Sequence, residues 1–224
     1  MREHDPAVLQ ALRGYDTPTM ANAIETFDVR PRDTGFASHE VRCMFPDLPV
    51  MVGYAATATM RARGPGQGDP EPLWRHVQEV PGPRVVVVQD LDDPPAHGAM
   101  WGEVMATTFT ALGCLGVVTD GSVRDLDEAH AIGFRFFARG AGVSHAYQRS
   151  VDIGVPVTVG GLTVEPGDLL HADKHGVLLI PHDLAASLPE AADKVIASEQ
   201  RFLTWVRSAD FDPTRLSEIR RLTH

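Results

Sequence analysis

Gly116-Val117-Val118-Thr119-Asp120-Gly121-Ser122-Val123-Arg124-Asp125 decides how this chain is read. Leu115 to Thr119 is a short apolar, β-branched run of the kind that forms a buried strand. Gly121 supplies a tight turn. Leu126, Ala129 and Ile132 then recur at helical spacing, and Gly133 suits the end of that helix. Strand, turn and helix make one βα junction. It places Arg124 and Asp125 at the carboxyl end of the strand, where open α/β sheets bind their ligands.

A second junction lies just upstream. Arg84 to Gln89 contains Val85-Val86-Val87-Val88, bounded by Pro81-Gly82-Pro83 and by the loop Leu91 to Gly102. A continuous apolar run of this length predicts a strand buried on both faces, as in a parallel or mixed sheet covered by helices. Glu103 to Leu112 follows as a helix, with Val104, Met105, Thr108, Phe109 and Leu112 on one stripe and Gly113 at its end. Val50 to Met60 and Phe134 to Ala138 predict further strands. Pro72 to Val80 predicts a helix, as does the stretch after Thr17 (cap) and Pro18 (first helical position). Residues 28–50 and 63–70 are irregular by their Pro, Gly and Asp content.

The pattern changes after residue 150. Val155 to Val159 and Leu162 to Glu165 are joined by Gly160-Gly161, a two-residue turn requiring positive φ and therefore a hairpin signal. Pro166-Gly167-Asp168 makes another turn, Leu169 to Ala172 and Val177 to Ile180 add short strands, and the composition is helical from His182 onward. The expectation is a single α/β domain over residues 1–224, with a mixed central sheet, late β-hairpins and a helical tail over about 183–224.

Composition narrows the function classes. The 224 residues are 43% hydrophobic, enough for a sizeable core. The formal net charge of -10 argues against a nucleic-acid partner, which needs a clustered basic surface. Cys43 and Cys114 are far apart and in no metal-like spacing, so a reducing compartment is expected. The charged start Met1-Arg2-Glu3-His4-Asp5 lacks an apolar signal region, and no apolar run approaches the roughly 20 residues that span a bilayer. The expected localisation is cytoplasmic, without a membrane partner.

The two junctions together carry chemistry. A helix starting at Glu103 leaves the amides near Glu103, Val104 and Met105 unpaired, which favours an anion, and Gly102 allows close approach to the backbone. Arg124 can bind a carboxylate or enolate through parallel hydrogen bonds. Asp125 can ligate Mg²⁺ or Mn²⁺, with Glu103 holding a water nearby. A small α-keto acid suits this set: carboxylate on the helix start, keto oxygen toward metal and Arg124. Arg beside Asp at a helix start is equally what capping and surface charge produce.

Trp101-Gly102-Glu103-Val104-Met105-Ala106, followed by Leu115 to Asp125, resembles the signature of the RraA-like family, which includes the 4-hydroxy-4-methyl-2-oxoglutarate (HMG/CHA) aldolases. Phe137-Ala138-Arg139-Gly140, Gly160 to Asp168 and Ala172-Asp173-Lys174-His175-Gly176-Val177 extend the resemblance over most of the chain. It implies an α/β/β sandwich, a homotrimer or a hexamer built as a dimer of trimers, and active sites at subunit interfaces. It implies a divalent metal, Mg²⁺ or Mn²⁺, with Asp125 as direct ligand and Arg124 binding pyruvate and stabilising its enolate. Glu103 matches an acidic residue that holds a metal-bound water. Val104 and Met105 match positions whose amides hold the pyruvate carboxylate. Glu199 matches a glutamate reaching in from a neighbouring subunit. The implied reaction is cleavage of a 4-hydroxy-2-oxo acid to pyruvate and a second carbonyl product, with oxaloacetate decarboxylation through the same enolate. The alternative is a regulator that binds a ribonuclease or other protein. Members of that kind lack the carboxylate after the arginine, and this chain keeps Asp125.

Other residues carry weaker signals. His97 lies in the loop before Trp101. His171, Asp173 and His175 cluster, but Asp173-Lys174-His175-Gly176 has turn composition. Trp74, Trp101 and Trp205 are expected to be packing residues. Lys174 is the only lysine before the C-terminal region, which disfavours a Schiff-base mechanism.

Overall fold

Alternate residues of the Val85–Val88 run enter two different cores, one on each face of the strand that contains them. The computed structural model describes residues 2–66 and 68–222. Met1, Gln67, Thr223 and His224 lie outside the described residues, and with them one position of the 63–70 loop and the end of the expected tail. In chain order the elements are α1 (Pro6–Leu12), α2 (Thr17–Glu25), β1 (Arg42–Cys43), β2 (Met51–Arg61), α3 (Glu71–Glu79), β3 (Arg84–Asp90), β4 (Ala99–Trp101), α4 (Glu103–Ala111), β5 (Cys114–Thr119), β6 (Ser122–Val123), α5 (Leu126–Ile132), β7 (Arg135–Ala138), β8 (Gly140–Ala141), β9 (Arg149–Ile153), β10 (Val157–Val159), β11 (Leu162–Val164), β12 (Leu169–Asp173), β13 (Gly176–Ile180), α6 (Leu188–Val206) and α7 (Leu216–Leu222).

The main sheet runs β1-β7-β5-β3-β2-β12-β13, with β9 paired to the far half of β2. Strands β2, β3, β5 and β7 are parallel. β1, β9 and β12 pair antiparallel with their neighbours in that set, and β13 pairs antiparallel with β12. The sheet is therefore mixed, as expected. One face packs Val86, Val88, Val117 and Phe136 against Met20 and Ile24 of α2, Leu73 and Val77 of α3, Phe109 of α4 and Leu188 of α6. The other face packs Val85, Val87, Val118 and Phe137 against Val157, Val159, Leu162 and Val164 of the β10–β11 hairpin. Helices thus cover only one face, and the hairpin covers the second. This is the α/β/β layering that the family resemblance implies. Gly160 (φ 55) and Gly161 (φ 80) make the hairpin turn predicted for them.

Several local expectations shift. The cap of α2 is Asp16, whose Oδ1 accepts from the Thr19 amide at 2.8 Å. Thr17 is already helical, and its amide donates instead to Asp173 Oδ2 at 3.0 Å. The supposed loop Leu91–Gly102 contains β4, and the turn before Arg124 contains β6. These two short strands, with β8, form a second parallel sheet in the order β4-β6-β8. Each follows one strand of the main sheet: β3 then β4, β5 then β6, β7 then β8. The small sheet repeats the order of the large one just beyond its carboxyl edge, and so ties the two βα junctions together.

Candidate active site

The geometry at the two junctions turns on Asp125. It stands at the N-cap of α5 in the left-handed region (φ 50, ψ 52), yet its side chain makes no cap hydrogen bond to that helix. Its Oδ2 instead accepts from the Glu103 amide at 3.0 Å, across to the start of α4. The carboxylate of one junction thereby caps the helix of the other. Gly102 makes this possible. Its backbone is extended (φ -154, ψ -162), so no glycine conformation is demanded, but a Cβ there would overlap Asp125 Oδ2 and meet Arg124 Cγ at 3.0 Å. The pairing of β4 with β6 sets the distance, with the Arg124 amide donating to the Trp101 carbonyl at 2.8 Å. Trp101 is fully buried against Phe109 and Phe134 and serves as packing, as expected.

Arg124 Nε lies 3.6 Å from Asp125 Oδ2, and each side chain is about one-third exposed. With Gly102, Val104 and Met105 they line a cleft of about 180 Å³. Five of the seven expected site residues therefore share one wall. Glu103 joins them through its amide, while its side chain is exposed at the first turn of α4. The amides of Val104 and Met105 have no acceptor within the helix by their position, so α4 presents donors and the positive end of its dipole to the cleft. Glu199 does not reach this cleft in its own chain. It lines a different one, between α2 and α6, where its Oε1 accepts from Asn22 Nδ2 at 3.4 Å.

Two further residues line the site that sequence reasoning missed. His145 and Gln148 come from the loop between β8 and β9. Ser144 accepts from the Ala99 amide and Ala62 from the Tyr147 amide, which folds this loop over β4. His145 Nδ1 donates to the Ala146 carbonyl at 2.7 Å, leaving Nε2 as the acceptor of the neutral ring. No local pattern marks these residues, because only the fold brings them to β4. His97 is exposed and does not line the cleft.

The His171, Asp173 and His175 cluster has a structural explanation. His171 is fully buried and bonds Thr17 Oγ1 at 3.0 Å and the Leu12 carbonyl at 3.1 Å. Asp173 accepts from the Thr17 and His175 amides. Among the described residues no group of three or more His, Cys, Asp or Glu is gathered as a metal cage. Asp125 Oδ1 has no protein partner, and a carboxylate oxygen of this kind suits Mg²⁺ or Mn²⁺ retaining several waters.

Behind the cleft, three carboxylates fasten the strand ends. Asp120 Oδ1 accepts from the Asp90 amide at 2.7 Å, Asp90 accepts from the Asp92 and Ala96 amides, and Asp92 accepts from Ala62 and Arg63. Burial pushes the Asp120 carboxyl up to about 6 and also raises Asp90. Cys114, buried at the start of β5, is pushed by burial up to about 12 and is no nucleophile.

The fold is a mixed sheet in an α/β/β sandwich, with a cation, a carboxylate and a helix start converging beyond its carboxyl edge. Residues 17–179 match the family model described as RraA-like, Aldolase/RraA, and the chain belongs to that family. A protein of Halalkalibacterium halodurans, provisionally named a 4-hydroxy-4-methyl-2-oxoglutarate aldolase, is 31% identical over 103 residues, covering 46% of this chain and 49% of that protein. An uncharacterized protein from Pseudomonas syringae pv. tomato shares the fold at a TM-score of 0.75 and 24% identity, covering 100% of this chain and 96% of that one. RraAS2 of Streptomyces coelicolor, described as an unusual member of the RNase ES inhibitor RraA family, does so at 0.71 and 23%, covering 90% and 98%. The matched regions span only 22% and 49% of the first curated relatives. No helix of the described residues is long and apolar enough to cross a membrane.

Proposed function

We propose that this chain is a divalent-metal-dependent aldolase that cleaves a 4-hydroxy-2-oxo acid to pyruvate and a second carbonyl compound, and that it also decarboxylates oxaloacetate. The observation that carries this reading is the Asp125 carboxylate, which leaves its own helix uncapped and stands with one oxygen free beside Arg124 and the α4 amides. The Val104 and Met105 amides would bind the substrate carboxylate at the helix start. Arg124 would hold the keto oxygen and stabilise the enolate that forms when the C3–C4 electron pair moves toward C2. Asp125, through Oδ1, would hold Mg²⁺ or Mn²⁺, which when bound supplies Lewis-acid stabilisation of that same oxygen. A water held by Glu103 would take the C4 hydroxyl proton as the bond breaks and return a proton to C3. The relatives' provisional aldolase names support the reaction class. In a homotrimer or hexamer, Glu199 of the partner subunit would complete the proton path.

The test is pyruvate formation from oxaloacetate by the purified protein, with Mg²⁺ and with EDTA. Turnover that survives EDTA, or survives Asp125→Ala, sinks the mechanism. A regulator-type member of the family would instead show no metal-dependent turnover and a saturable complex with its protein partner.

A further inference from the structure

The segment ahead of α1 is fastened to the body by an aromatic clasp that the proposed reaction does not use. His4 lies just before the Asp5 cap of α1, and its amide donates to the Tyr54 hydroxyl at 2.7 Å. Tyr54 is fully buried in β2. His4 Nε2 stands 2.9 Å from Nδ1 of His182, just beyond β13. His182 Nε2 in turn lies 3.2 Å from the Gly167 carbonyl, in the turn before β12. The three rings lie within 15° of parallel, with centroids 5.2–6.4 Å apart. Beside them Arg2 pairs with Asp183.

The partners fix where the protons sit. A carbonyl only accepts, so His182 Nε2 carries the hydrogen and Nδ1 of the neutral ring is a bare acceptor. His4 Nε2 must then donate to it. A first added proton can enter at His4 Nδ1 and leave the bond intact. A second must go to His182 Nδ1, where it sets two N–H groups and two positive charges face to face across 2.9 Å. The charged neighbours do not offset that repulsion. Arg2 adds positive charge, and Asp183 is exposed and already paired with it. Asp5 is committed to the Ala7 amide. Glu3, whose charge reaches Tyr54, is exposed and screened by water. Burial holds Tyr54 neutral. Burial first, then His182 and Arg2, lower His4 from its ordinary value.

We infer that residues 2–5 form an acid-released latch, closed at neutral pH by the His4–His182 bond and opened when both rings are protonated. The closed latch favours the less protonated pair. Closure is therefore fully present above the ordinary histidine value of about 6.5 and is lost as pH falls below it. Leu9 and Leu12 keep α1 docked in the core, so the segment ahead of it is what is released. The latch is independent of the aldolase reading.

The test is hydrogen exchange of the His4 amide in the full chain, followed by NMR and expressed as a protection factor. That amide is the one bonded to Tyr54, so it reports the latch itself. Between about pH 8 and about pH 5 its protection should fall at least about tenfold, because opening gains about tenfold per pH unit once the pair titrates. The amides of β3 and β5 should keep theirs. His4→Gln supplies a side-chain amide that donates to neutral His182 and, turned over, accepts from the protonated ring. In that variant the protection of residue 4 should stay flat over the same range. Unchanged wild-type protection overturns the latch. So does a core that loses protection in step with His4, or a His4→Gln variant that opens in acid as wild type does. The comparison of residue 4 with the core in wild type stands whether or not the variant folds.

Discussion

Replacing Asp125 by Gly and by Ala separates what the fold needs at this position from what the site needs. The backbone there is left-handed, at φ 50 and ψ 52. Such a conformation costs an ordinary L-residue about 1–2 kcal/mol, costs Asp or Asn less, and costs Gly nothing. The side chain contributes one hydrogen bond, 3.0 Å from Oδ2 to the Glu103 amide, at a position where water can replace it. Losing that bond costs about 1 kcal/mol. For Asp125→Gly the relief and the loss nearly cancel, so its stability should lie within about 1 kcal/mol of wild type. Asp125→Ala keeps the loss and adds strain, and should fall below the Gly variant by about 1 kcal/mol, or about 2–4 °C in a domain of this size. Both should lose about 100-fold or more of the metal-dependent decarboxylase rate. Scanning calorimetry and the oxaloacetate assay measure the two effects on the same samples. An Ala variant as stable as the Gly variant would show that the backbone strain is not felt. Activity in either would refute the role of the carboxylate.

Gly102→Ala tests the approach distance from the other side, because its methyl would displace Asp125 Oδ2 and crowd Arg124 Cγ. It should weaken Mg²⁺ activation by about 10- to 100-fold with little change in melting temperature, and normal Mg²⁺ titration would count against the geometry. Asp120 predicts a pH dependence of stability. Burial raises its carboxyl to about 6, so its favourable contribution is fully present below the ordinary 3.8 and is lost as pH rises through 6. At about 1.4 kcal/mol per pH unit the loss is at most about 3 kcal/mol. Asp120→Asn, which keeps an oxygen for the Asp90 amide, should flatten melting temperature against pH between 4 and 7, and an unchanged slope would falsify the assignment.

The elements that were legible in the sequence are those whose signal is local. The valine run of β3, the stripes of α4 and α5 and the Gly160-Gly161 turn each specify their own conformation within a few residues. The small β4-β6-β8 sheet was not legible, because strands of two or three residues have no period to read and exist only through pairing. The second layer came from the family resemblance and not from the run itself: Val85–Val88 announces two buried faces but not which element covers each. In the site, Gly102, Arg124 and Asp125 could be named from two strand-to-helix junctions. His145 and Gln148 could not, since their loop reaches the cleft through backbone bonds to Ala99 and Ala62 that no pattern encodes.

At Arg124-Asp125 the two readings are a capped helix start and a site, and the geometry bears on both. A carboxylate that capped α5 would take extended backbone and a bond to N2 or N3 of that helix, whereas Asp125 caps α4 through the Glu103 amide. Asp125 adopts the less favourable left-handed conformation, leaves α5 uncapped, and requires a residue without a side chain at position 102 to receive it. Three local departures from what each segment would choose alone all serve one placement: an oxygen pair beside Arg124, at the start of α4. Conflicts between local preference and final structure that converge in this way are expected where the site, and not the fold, sets the requirement.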